Sequence, residues 1–283
     1  GTSFFVLELK PRYKNKLDRE NTQENYDAIR KYLINDFNAE MVDGKLKKPI
    51  MWIHLNYEYN SREWLSFGSR SSINLNQPYL YLTANSIIKR CETDFHICFV
   101  DDDAFKILIA DWNIDMTRIS DPIKKNMRDL GMTKLLYKYG GMRVPVSFVC
   151  MRNLNEMYAN GTMNNKAFIC EMVDRNVTSS HENFYPNIEF MGANAGCPVV
   201  GELLDFMQRI ISTDNTSQSV FQGDFNRWCN NRIKTKQINL IGGKLIGVKT
   251  MDDSAITVDN LMTNEYIDLY ANTYGIYIPA NEL

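Results

Sequence analysis

Nowhere in the 283 residues does an apolar run reach the roughly 18 residues that a membrane-spanning helix needs, so no such helix lies within the chain. A basic surplus is missing as well: 32 Lys and Arg stand against 34 Asp and Glu, for a net charge of −2. A protein that held nucleic acid by displacing counterions would carry that surplus, so nucleic acid is excluded as a partner. The six cysteines, at 91, 98, 150, 170, 197 and 229, are nowhere closer than seven residues. No CxxC pair is therefore available for zinc or for thiol exchange. Histidine is scarce, with 3 in the chain and none after His181. Repeats and low-complexity tracts are absent too.

What is present suits a folded domain with a sizeable core. Apolar residues make up 44% of the chain and charged residues 23%, with 14 Phe, 15 Tyr and 4 Trp, which rules out disorder. Most cysteines sit beside apolar residues, as in Phe95-His-Ile-Cys98-Phe99, and read as buried free thiols of a reducing compartment. Asparagine is in excess at 30 residues, which reads as the codon bias of an AT-rich genome. The three N-x-S/T sequons, at Asn160, Asn176 and Asn215, follow from that excess.

Residues 1–48 read as a separable N-terminal extension. Phe4–Leu9 suits a short strand or apolar arm, and Tyr26, Ile29, Leu33 and Phe37 share one helical face. From Pro49 the pattern becomes alternating strands and helices. Strands are predicted at Ile50–Leu55, Phe95–Val100, Met142–Val149, Ala167–Met172 and Ile188–Met191. Helices are predicted from Pro78 to Cys91, from Ser120 to Tyr139, from Pro198, and over about Ser219 to Ile233. Gly140-Gly141 ends the second of these helices. Ile238–Ile241 and Lys244–Val248 are predicted to form a hairpin over Gly242-Gly243. Such alternation implies a mixed, mostly parallel sheet flanked by helices, with ligands beyond the carboxyl ends of the strands. That position is filled by Asp101-Asp102-Asp103 and by the segment after Val146.

If the chain stays extended at 101–103, Asp101 and Asp103 point to the same side and can share Mg2+ or Mn2+. The other reading is a polar turn that caps a helix from Phe105. His54 ends the first strand of the alternating region, at the cleft. His96, inside an apolar strand, reads as a core residue. Glu171 lies between Cys170 and Met172, as either a partnered sheet-edge residue or a site residue.

At Leu135-Leu-Tyr-Lys-Tyr-Gly-Gly-Met142 the chain resembles the family 32 glycosyltransferases, the group with a DxD sugar-binding region. Similar sequences are typical of proteins encoded by giant DNA viruses, which suits the asparagine excess. The likeness runs from about Pro49 to Leu261. Pro49–His54 looks like the family's opening strand, Phe99–Asp103 like its second strand and acidic turn, and Asp129 like the aspartate of the helix before the Gly-Gly. Phe190–Pro198 resembles the small-residue loop that precedes a helix. The resemblance implies a GT-A (Rossmann-like) domain over residues 49–283 that handles a nucleotide-sugar and a glycan or protein acceptor. The candidate nucleotide-sugar-binding residues are then His54, Asp101, Asp103, Asp129, Arg143, Ser147 and Asn194, while Asp101 and Asp103 remain the metal candidates on their own spacing rather than on the resemblance.

The family's DxD would fall on Pro145 and Ser147, so both acids are missing. The family's arginine falls on Met132, and no C-terminal histidine completes a metal site. Two readings compete. In one, the fold persists without the metal site, needs no cofactor, and serves as a binding or structural protein in a virus particle or the host cytoplasm. In the other, an active transferase holds Mn2+ or Mg2+ on Asp101 and Asp103, or neutralises the diphosphate with cations such as Arg143. Residues 1–48 lie outside the likeness and suit self-association.

Overall fold

Chain alternation of apolar side chains builds the core from both sides of one sheet. A computed structural model describes residues 27–34, 41–42, 45–55, 79–174, 183–213 and 218–278. The described part of the first 48 residues holds a helical turn at 27–30 (α1) and a two-residue ribbon, β1 (Met41–Val42) with β2 (Lys45–Leu46). Then follow β3 (Ile50–His54), α2 (Leu80–Cys91), β4 (His96–Val100) and the short α3 (Ala104–Leu108). Next come α4 (Ile123–Tyr139), β5 (Gly141–Arg143), β6 (Phe148–Cys150) and α5 (Asn155–Gly161). The remainder is β7 (Ala167–Asp174), β8 (Asn183–Ala193), α6 (Pro198–Thr213), α7 (Gln218–Lys234), β9 (Ile238–Ile241), α8 (Val258–Met262) and β10 (Gly275–Tyr277).

Six strands form the central sheet in the order β4-β3-β5-β8-β7-β9. Only β8 runs against the others. The expected mixed, mostly parallel sheet flanked by helices is therefore what the chain adopts. Both faces are buried, as a parallel sheet requires. Along β3, Ile50 and Trp52 enter one core with α4, α6 and α7, while Met51 and Ile53 enter the other with α2, α5 and β6. Ile29 and Leu33 are also buried in the first core, and the Ile34 N–H donates to the Ile97 carbonyl at 3.0 Å. Residues 29–34 thus pack on edge strand β4.

Two expectations are corrected. The strand predicted over Met142–Val149 is two strands, β5 in the main sheet and β6 paired with β10. Pro145 has no N–H to give a ladder, and the Phe148 N–H turns back to the Pro145 carbonyl at 3.1 Å. The predicted hairpin does not form either. β9 pairs in parallel with β7, and Gly243–Ile246 is a 3-10 helix. The Gly243 N–H donates to the Glu171 carboxylate at 3.0 Å, a long-range contact that outweighs the local turn pattern. Phe4–Leu9, Tyr26, Phe37, Pro78 and His181 lie outside the described residues.

Gly140 and Gly141 are the point where α4 meets the sheet. Gly140 has φ 71° and Gly141 φ 101°, both in the region that favours glycine. A Cβ on Gly140 would stand 2.6 Å from the Ala195 nitrogen, and one on Gly141 would collide with the Ile50 carbonyl. The two glycines let β5 lie against β3 directly below the helix end. The Trp52 indole then donates to the Gly140 carbonyl at 2.9 Å.

Candidate functional site

The carboxyl ends of β3, β4 and β5 converge beneath the first turns of α4. His54 closes β3, Asp102 follows β4, and Arg143 closes β5, while α4 supplies Lys125, Arg128 and Asp129. Antiparallel β8 brings Glu189 to the same edge, because its Met191 is in register with Arg143.

These side chains form three neighbouring ionic sets. Asp102 takes Arg128 in a two-pronged bond, Nε to Oδ1 at 2.8 Å and Nη2 to Oδ2 at 2.9 Å. The same Oδ1 meets His54 Nε2 at 3.0 Å, and the His54 ring stacks on Phe105 at 5.7 Å. Arg143 Nη2 bonds Asp129 Oδ1 at 2.8 Å, with side-chain exposures of 11% and 8%. Lys125 reaches Glu189 at 3.1 Å, and the Tyr277 hydroxyl donates to the other Glu189 oxygen at 3.0 Å. Three cations therefore face three carboxylates.

Burial and pairing set the protonation states. Burial lowers the His54 pKa, and the opposing bond and charge of Asp102 do not offset it. Burial raises the Asp102 carboxyl, but hydrogen bonds from His54 and Arg128 and the Arg128 charge outweigh it and hold the group well below the usual carboxylate range. An ionised Asp102 only accepts, so neutral His54 carries its proton on Nε2 and leaves Nδ1 as acceptor. Burial opposes charge on Glu189 and Lys125 alike. Their mutual attraction prevails, lowering the first and raising the second. Burial, then the Glu189 charge, keeps Tyr277 a phenol. The site is a set of oriented, mutually neutralised charges with one neutral imidazole that can take up a proton.

Among the residues expected at the site, His54, Asp129 and Arg143 are brought together here. Asp101 and Asp103 are near but do not act as an extended pair. The chain turns helical at Asp103, with φ −74° and ψ −27°, so the alternation stops there. Asp101 Oδ1 accepts the Ala104 N–H at 3.0 Å, and Asp103 is exposed. Among the described residues no three or more His, Cys, Asp or Glu side chains gather in a metal-binding group. Pro145 lies in the turn after β5, and Ser147 is buried beside it. Asn194 is at the opposite edge, since β8 ends where β3 and β5 begin. His96 is a core residue whose Nε2 accepts the Lys48 N–H at 3.2 Å. Glu171 is partnered, by Lys249 at 2.5 Å and by Gly243.

Sequence reasoning missed Asp102, Arg128, Lys125 and Glu189. The signal for Asp102 was the helix start at Ala104, which rotates the middle aspartate inward. Lys125, Arg128 and Asp129, spaced three and four apart, share one face of α4, a pattern visible in the sequence. Nothing local marks Glu189.

No family model matches the chain, and no curated protein does. Among solved structures the chain is similar to one named PaToxG Glycosyltransferase, at 11% identity and a TM-score of 0.35, covering 78% of each chain. A superposition of that quality sets no residue correspondence.

Proposed function

We propose that the chain is a glycosyltransferase-like protein whose nucleotide-sugar fold has lost the DxD metal site, and that it serves as a binding or structural component impaired in catalysis. The observation that carries this reading is the pairing of the three cations that converge at the described part of the carboxyl edge. Arg128, Arg143 and Lys125 are each held by a carboxylate, from Asp102, Asp129 and Glu189. A donor diphosphate needs a metal or uncommitted cations at that edge to stabilise its leaving charge. In the family register the two acids are replaced by Pro145 and Ser147, and Asp101 uses an oxygen to hold the Ala104 N–H. The kinship to family 32, and with it a viral source and a place in a virus particle or host cytoplasm, is supported by the Leu135–Met142 string and the asparagine excess.

The test is thermal unfolding with millimolar Mn2+ and UDP- or GDP-sugars, together with a hydrolysis assay. Neither a metal-dependent rise in Tm nor hydrolysis is expected. A ligand at 100 times its Kd stabilises by about 2.7 kcal/mol, so a real site would be plainly visible and would sink the proposal.

A further inference from the structure

We propose that the amino edge of the sheet carries a second binding site, for a compact phosphate-bearing anion, in the pocket between residues 45–50 and the Gly140-Gly141 turn. It goes beyond the reading of the carboxyl edge and does not rest on it. The two edges are separated along β3, from Ile50 to His54, by about 13 Å at about 3.3 Å per residue.

The pocket is a cavity of about 190 Å³. That is below the roughly 300 Å³ at which sites for drug-sized molecules begin, so the occupant is small. Lys45, Lys47 and Lys48 line it, and none of its lining residues among the described ones is acidic. Lys48 Nζ is engaged by the Glu92 carbonyl at 3.2 Å. Lys45 and Lys47 are exposed and have no acidic partner among the described residues. Two uncommitted ammonium groups two residues apart are point charges suited to phosphate oxygens. This is the reverse of the carboxyl edge, where Lys125, Arg128 and Arg143 are each held by a carboxylate.

The opposite wall supplies neutral donors. The Tyr158 hydroxyl, which lies 3.3 Å from Asn194 Oδ1, orients the Asn194 amide at the pocket. The Asn194 Nδ2 reaches the Thr162 carbonyl only at 3.5 Å, so its N–H groups are weakly used. Gly140 and Gly141 line the same cavity. The Leu135–Met142 string and Asn194 thus find a common role on this side of the sheet.

The experiment is calorimetric titration of the full chain at low ionic strength with inorganic phosphate and with pyrophosphate. The parent is compared with Lys45→Ala plus Lys47→Ala, with Asn194→Ala, and with a charge-matched control, Lys89→Ala plus Lys234→Ala. Saturable pyrophosphate binding is expected in the parent, weakened tenfold or more by the Lys45/Lys47 change, weakened at least threefold by Asn194→Ala and unchanged in the control. Two outcomes overturn the proposal: no saturable binding by the parent up to millimolar anion, or equal losses in the Lys45/Lys47 variant and the control. Asn194 lies on a different element from the lysines. It therefore decides the matter if the double change disturbs folding. The result leaves the metal and sugar-nucleotide test untouched.

Discussion

Asp102 and His54 set the pH response of the carboxyl edge, and their signs can be worked out separately. The His54 pKa is lowered in the folded chain, from an ordinary value of 6.5. Below about pH 6.5 the unfolded chain therefore takes up a proton that the folded chain refuses, and stability falls as the pH drops toward the folded value. Asp102 behaves differently. Its carboxyl is held low, so its stabilisation is complete above about pH 4 and is lost only below that. The variant His54→Gln should keep a donor to Asp102 while losing the titration. Urea unfolding from pH 7.5 to 5 should then show a shallower loss of stability in His54→Gln than in the parent. Equal slopes would mean that His54 does not titrate as the geometry requires.

At the scale of elements, the α4–β5 junction decides how the two halves of the edge meet. Asp129 on the helix and Arg143 on the strand are joined at 2.8 Å across the Gly140-Gly141 turn. Gly141→Ala would bring a Cβ onto the Ile50 carbonyl at φ 101°, forcing β5 away from β3. The expected loss is about 4 kcal/mol or more, or failure to fold. Gly196 supplies the contrast. It also has a positive φ, 70°, but a Cβ there meets nothing within 4 Å. Gly196→Ala should cost only the left-handed conformation, about 1 to 2 kcal/mol. Denaturant midpoints of the two variants would separate packing from conformation, and comparable losses would refute the close-approach argument.

Over the whole molecule, two hydrophobic cores sandwich the six-stranded sheet and take in every cysteine. All six are free and buried. Burial pushes the Cys229 thiol up to about 12 and Cys170 well above the ordinary range. The Cys91 thiol is instead lowered, by its hydrogen bond with Cys150, so burial is what shields all six, and the folded chain should react with a disulfide reagent only through opening of the core. Native protein is expected to label slowly, and protein in concentrated urea to release six equivalents at once. Rapid labelling of several thiols in the native state would show that the two cores are not closed as described. Cys91 and Cys150 lie at an Sγ–Sγ separation of 3.8 Å, where α2 meets β6.

Periodicity and punctuation in the sequence determined most of the elements. Apolar runs such as Ile50–Ile53 and glycine-ended helices such as α4 are local patterns, and they carry over into the fold. Only the tertiary structure decided which candidates share a site. Asn194 and His54 lie at opposite edges because β8 runs antiparallel, a reversal that residue spacing does not encode. Asp102 displaced its two neighbours because α3 begins at Ala104, so the alternation of a strand no longer applies. Glu189 and Lys125 belong to the site through a 3.1 Å pairing across 64 residues of chain, and such a contact has no local sequence signature.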